Sequence, residues 1–231
     1  MKTIGLLGGM SWESTAEYYR IINQGVRSRV GGVNSARVVM YSVEFAEIGR
    51  LQNAGRWDDL ADMLAGAAVA IEQAGADFLL ICTNTMHKLA DPIQSRIDIP
   101  ILHIVDPTAA AIHTRGIKTV ALLGTRFTME EDFYLARLER EHGIKGIVPE
   151  TDDRAIIHRV IYEELCAGRI EDASRGEYLR IIQTLVERGA QGVILGCTEI
   201  GLLIKPEDLT LPVFDTAHIH AIAAVEAALA D

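Results

Sequence analysis

The sequence predicts an α/β fold of two pseudo-symmetric lobes, each a mainly parallel sheet flanked by helices. Three observations carry this expectation. Apolar strand-like runs alternate with helical stretches along all 231 residues, the pattern of parallel sheets covered on both faces. The order of these runs restarts near the middle of the chain. Three pairs of segments from the two halves also align without gaps.

The first run is TIGLLG, Thr3 to Gly8, closed by glycines. The stretch WESTAEYYRIINQGVRSRV follows, with apolar residues three and four apart, and reads as a helix. ARVVMYSV is the second strand candidate, DFLLIC the third and IPILHI the fourth. Between the second and third lies RWDDLADMLAGAAVAIEQAG, again helical, whose alanine-rich part suits close helix packing rather than binding. The second half offers TVALLG, IKGIV, QGVILG and LPVFD as its strands.

The restart is an internal duplication. Thr3 to Met10 aligns on Thr119 to Arg126 with a shift of 116, and Gly75 to Thr85 on Gly189 to Glu199 with a shift of 114. Ile99 to Ile104 aligns on Leu211 to Thr216 with a shift of 112. One match would reflect the common strand–glycine–helix turn; three in order and near-register indicate two repeated units. The expected first lobe takes residues 1–98 and regains the C-terminal segment 210–231; the second takes 99–209. The active site is expected in a cleft between them.

The duplication also sorts the cysteines. Cys82 falls opposite Gly196, and Thr83 opposite Cys197. A strand alternates its side chains, so one residue of register reverses the face. If Cys197 faces a ligand, its mate is Thr83, and Cys82 is a core position for a small apolar side chain.

Composition narrows the function. With 49% hydrophobic and 23% charged residues the chain can bury a full core. The formal charge of −10 argues against nucleic acid. No apolar run approaches the roughly 18 residues of a membrane span, and the short N-terminal run interrupted by glycines is unlike a signal peptide. Three cysteines outside any C-x-x-C pair and seven scattered histidines support neither a disulfide framework nor zinc. A cytoplasmic protein is expected, with no metal.

In parallel α/β sheets, ligands bind beyond the carboxyl ends of the strands, where the next helix offers free N–H groups. Gly8-Gly9, Asn84-Thr85 and Thr198-Glu199 all follow strand candidates. Each suits a helix cap and tight turn as well as a ligand contact; their convergence suits a carboxylate held by backbone donors.

These motifs resemble the aspartate/glutamate racemase superfamily, most closely its aspartate racemase branch. The resemblance runs from IGLLGGMSWEST through CTNTMHK, YEEL and GCTEIGLL to LPVFDTAHIHA. It implies two pseudo-symmetric lobes and commonly a homodimer. It also implies cofactor-independent inversion of an amino-acid α-carbon by two cysteines acting from opposite faces. The first family motif, Cys-Asn-Thr-x-His, reads Thr83-Asn84-Thr85-Met86-His87 here, whereas the second cysteine is kept as Cys197. A subgroup with threonine at this position is taken to prefer L-aspartate and L-glutamate.

A thiol near a helix N-terminus is expected to ionise at neutral pH. An alcohol has no comparable ionised form without a base beside it. The expected catalytic pair is thus unequal: Cys197 the base, Thr83 an acid or proton relay. The resemblance adds Met10, Ser11 and Gln52 as substrate contacts, beside Asn84, Thr85 and Thr198. Thr125, the repeat mate of Gly9, suits a carboxylate. Glu199 suits orienting Thr198 or the substrate amine, and is otherwise a helix-start acid. His87 suits a structural histidine, and Cys166 has no assigned role. Alternative readings are a one-cysteine decarboxylase or diacid isomerase of the same superfamily, and a non-catalytic amino-acid-binding protein.

Overall fold

The computed structural model describes residues 1–230; Asp231, the last residue of the expected first lobe, lies outside the described residues. The chain forms two compact units. The first comprises Met1–Ile104 together with the C-terminal helix from His220 onward, and the second comprises Val105–Ile219.

The first unit is built on strands β1 (Thr3–Gly8), β2 (Arg37–Ser42) and β3 (Phe78–Ile81), all parallel in the order β2-β1-β3. Helices α1 (Trp12–Val30), α2 (Phe45–Asn53), α3 (Trp57–Gln73) and α4 (Ala90–Gln94) connect and cover them. The central strands are continuous apolar runs because both faces are covered: Ile4, Leu6 and Leu7 are fully buried, as are Leu79, Leu80 and Ile81. Each such side chain contributes about 1.5–3 kcal/mol on burial. The alanine-rich stretch buries Ala65, Ala67 and Ala68 of α3 in this core, the close packing its small side chains suggested.

The second unit has β4 (Thr119–Gly124), β5 (Lys145–Ile147), β6 (Val193–Gly196) and β7 (Val213–Asp215), parallel in the order β5-β4-β6-β7. Its helices are α5 (Val105–His113), α6 (Arg126–Glu130), α7 (Asp132–His142), α8 (Thr151–Glu163), α9 (Asp172–Glu187) and α10 (Ile200–Leu203). The last helix, α11 (Thr216–Leu229), begins in this unit and continues into the first. Leu123, Ile157, Tyr178, Ile181 and Leu195 anchor the second core.

The two sheets repeat each other residue by residue. Gly5 pairs with Leu79 and Ala121 with Val193; Leu7 pairs with Ile81 and Leu123 with Leu195. These pairs are related by the shifts of 116 and 114 read from the sequence. The fourth expected strand of the first half, IPILHI, is reduced to one bridge between Leu79 and Ile101. That bridge is the counterpart of Val193–Val213 in β6–β7.

The boundaries differ from those expected at 98/99 and 209/210. Residues 99–104 stay with the first sheet because Ile101 bridges Leu79, and β7 stays with the second because it pairs with β6. The chain returns to the first unit inside α11. There His220 Nε2 donates to the Leu102 carbonyl at 2.7 Å, and the Tyr18 hydroxyl donates to His220 Nδ1 at 2.9 Å. Since the carbonyl can only accept, Nε2 carries a proton, and in the neutral ring Nδ1 accepts from Tyr18.

Candidate active site

In the first unit, β1 and β3 are neighbours and their carboxyl ends carry the expected residues. Beyond β1, Gly9 has φ +90, and a Cβ there would collide with the Val43 backbone. Only glycine suits such a turn. Gly9 N–H donates to Thr15 Oγ1 at 2.9 Å, and Ser11 caps α1 by accepting from Ser14 N–H. The Met10–Ser11 peptide is cis, and both side chains are buried.

Beyond β3 the chain passes Cys82, fully buried, then Thr83, half-buried, before the short 3₁₀ turn Thr85–Leu89. Desolvation drives the Cys82 thiol far above its ordinary value. His87, almost fully buried, is held at both ring nitrogens. Its Nε2 lies 3.2 Å from the Ile104 N–H and accepts from it, so Nδ1 carries the proton and donates to the Thr83 carbonyl at 2.8 Å. Burial, with His103 and His220 nearby, holds His87 well below the usual histidine range, and it stays neutral. His87 is thus the structural histidine its position suggested, and what it fixes is the backbone of Thr83.

Gln52 lies on α2 beside Ile48 and Leu51, which share a core with Met10 and Met86. Its side chain is 5% exposed, and among the described residues its Nε2 has no hydrogen-bond partner. A buried amide without an acceptor costs about 1–3 kcal/mol, a cost that a ligand oxygen removes.

In the second unit, Gly124 and Gly196 are paired, so the residues after them stand side by side. Thr125 caps α6 through Thr128 N–H, and the residue after Gly196 is Cys197, half-buried. Continuing both registers by one step sets Gly8 and Cys82 against Gly124 and Gly196. Thr83 and Cys197 then occupy the same position past their strands.

Cys197 Sγ donates to Glu199 Oε2 at 2.9 Å, and Thr198 Oγ1 donates to the same oxygen at 2.7 Å. Burial first, and then the Glu199 carboxylate, push the Cys197 thiol well above its ordinary value. This overturns the expected accessible thiolate. The following helix, α10, is a single turn of 4 residues, too short to offset the desolvation and the adjacent negative charge. The resting group is a thiol aimed at a carboxylate. One oxygen of Glu199 therefore accepts from both Thr198 and Cys197.

The end of α8 and the turn after it bring in residues that carry no expected role. His158 and Tyr162 stand four residues apart on one face of α8, and Cys166 follows in the short 3₁₀ turn Leu165–Ala167. The rings of His158 and Tyr162 are 4.7 Å apart, and His158 Nδ1 accepts from Arg126 N–H at 3.2 Å. Burial, with Cys197, Cys166 and Glu199 nearby, pushes the Tyr162 hydroxyl up to about 12. The Tyr162 hydroxyl therefore stays protonated as a donor beside the cysteine. Among the described residues, no group of three or more His, Cys, Asp or Glu stands where it could hold a metal ion. No helix among them is long and apolar enough to cross a membrane.

The chain is similar to known proteins along nearly its whole length. The chain matches the family described as Asp/Glu/hydantoin racemase over residues 7–224. A solved Yersinia pestis protein classed as an Asp/Glu racemase is 51% identical, with a TM-score of 0.94 and 100% of each chain covered. An aspartate racemase homologue from Pyrococcus horikoshii OT3 is 37% identical, with a TM-score of 0.86 over 99% of each chain. The broad specificity amino-acid racemase RacX of Bacillus subtilis (strain 168) is 23% identical over 239 residues, 98% of each chain. The family match runs from β1 into α11 and takes in both strand-end motifs, so the chain belongs to the Asp/Glu/hydantoin racemases and is an isomerase of the amino-acid racemase kind.

Proposed function

We propose that this protein inverts the α-carbon of aspartate and glutamate, with the L-enantiomers preferred, using Cys197 and Thr83 as unequal partners and no cofactor. The observation that carries the reading is the pair of burial states at equivalent strand ends. Cys197 and Thr83 are half-buried at matching positions, while Cys82 is sealed in its core. A proton-transfer group must reach substrate, and Cys82 does not.

The chemistry starts from the thiol–carboxylate contact. Cys197 passes its proton to Glu199 Oε2, leaving a thiolate and a neutral acid. The thiolate takes the α-proton of the bound amino acid, and the electron pair delocalises into the α-carboxylate. Thr83 returns a proton from the opposite face as its hydroxyl regains one from water, so it never exists as a free alkoxide. Glu199 releases the proton it took to that solvent, which restores the carboxylate and the water. Backbone and side chains at Met10, Ser11, Asn84, Thr85, Thr125 and Thr198 hold the carboxylates. Gln52 Nε2 donates to a substrate oxygen, which supplies its missing acceptor. The inequality of thiol and alcohol makes the two directions unequal in rate. We further read the enzyme as a cytoplasmic homodimer.

The test is incubation with single enantiomers of aspartate and glutamate in deuterated water, without added cofactor. α-Deuterium accompanied by the opposite enantiomer is the expected result. Release of carbon dioxide, or binding with no exchange, overturns the reading.

A further inference from the structure

Arg126 is the first residue of α6, two positions past the end of the central strand β4. It is exposed, and its guanidinium lies 5.2 Å from the Phe127 ring centroid. Many arginines of this unit are neutralised: Arg137 is bidentate to Asp106 and Arg180 meets Asp153 and Glu177. Arg126 makes no ion pair among the described residues, although the protein carries a formal charge of −10. An arginine without a carboxylate in so acidic a chain has its five donors available.

Its placement gives those donors a use. Gly124 pairs with Gly196, so Arg126 and Cys197 follow neighbouring strands about 4.8 Å apart. The Arg126 N–H is anchored on His158, whose ring packs on Tyr162. The charge of Arg126 is felt at the Tyr162 hydroxyl, which also senses Cys197 and Glu199. The cation and the thiol therefore share one neighbourhood within the second unit.

We propose that Arg126 is a specificity-determining residue, whose guanidinium takes the side-chain carboxylate of an amino acid with its α-carbon at Cys197. The inference rests on the racemase reading and deepens it by naming what selects dicarboxylic substrates. A planar guanidinium matches a carboxylate with two parallel N–H···O bonds, which an ammonium cannot reproduce. The amide of asparagine or glutamine presents one acceptor and no charge, so it loses the bidentate pair. Phe127 and the anchored backbone limit where the arm can swing. The opposite charge of Glu199 repels a distal carboxylate from the Cys197 side and leaves the guanidinium as its partner.

The experiment compares wild type, Arg126→Gln and Arg126→Lys on glutamate against glutamine, and aspartate against asparagine. α-Proton exchange gives kcat and KM, and calorimetric titration of each amino acid gives Kd. Arg126→Gln is expected to raise KM and Kd for the dicarboxylates by about tenfold or more while leaving the amides within about twofold. Arg126→Lys is expected to fall between. Equal losses on acid and amide, or no loss on either, overturn the proposal, as does preferential binding of the amides by wild type. If wild type binds dicarboxylates but exchanges no α-proton, the racemase reading fails, and the Kd comparison still decides the role of Arg126. If wild type binds neither class, both readings fall.

Discussion

The proton on Cys197 points at a carboxylate, and that contact sets the behaviour expected of single substitutions. Cys197→Ser replaces the thiol at this strand end with an alcohol, and exchange should fall by about four orders of magnitude or more. Glu199→Gln removes the proton acceptor and should lower kcat about a hundredfold. The substitution also removes the negative charge that raises the thiol, so the remaining activity should climb with pH at lower pH than in wild type. An unchanged kcat and pH profile would take Glu199 out of the proton chain. Thr83→Cys should speed exchange from the D-enantiomer more than from the L-enantiomer, read in deuterated water. Cys82→Ala should leave exchange intact and cost about 1 kcal/mol in urea unfolding, as truncation of a small core side chain does.

The elements earn their positions through contacts that short segments cannot advertise. The turn after β1 requires glycine at Gly9, since φ is +90 and the Val43 backbone fills the space of a Cβ. Gly9→Ala should therefore destabilise the protein by about 2–3 kcal/mol, measured as a lower urea midpoint at unchanged slope. A loss below about 0.5 kcal/mol would mean that the turn relaxes freely. The glycine run and the strand before it were legible from TIGLLGG. The weak fourth strand was not: IPILHI and LPVFD look alike, yet the first makes one bridge and the second a three-residue strand. Strand formation depends on the neighbour's length and register, which a segment does not encode alone.

At the scale of the molecule, each unit has its own core, and both tryptophans, Trp12 and Trp57, belong to the first. Tryptophan fluorescence thus follows the first unit, while far-UV circular dichroism follows helices of both. His87 is held neutral below its ordinary value of 6.5 in the folded state. Its contribution to stability is present above about pH 6.5 and lost as pH falls toward the lowered folded value, because the unfolded chain then binds a proton that the folded one refuses. Acidification below pH 6.5 should lower the fluorescence-detected urea midpoint. His87→Gln should lower that midpoint at pH 8 and flatten its dependence on pH. An equally steep dependence in the variant would assign the acid sensitivity to other groups.

The sequence by itself determined the duplicated α/β architecture and the mate of Cys197. Both follow from linear regularities: buried parallel strands are continuous apolar runs, and a strand's alternation makes one residue of register decisive. It also placed Asn84, Thr85, Thr125 and Thr198 at strand ends, because strand, turn and helix signals are local. Only the tertiary structure decided the state of the thiol, the packing of His158 on Tyr162 near Cys166 and Cys197, and the isolation of the Gln52 amide. It also decided that the chain changes units within α11 rather than before β7. Those properties come from desolvation and from partners far along the chain or around a turn, and such quantities exist only once the core has closed.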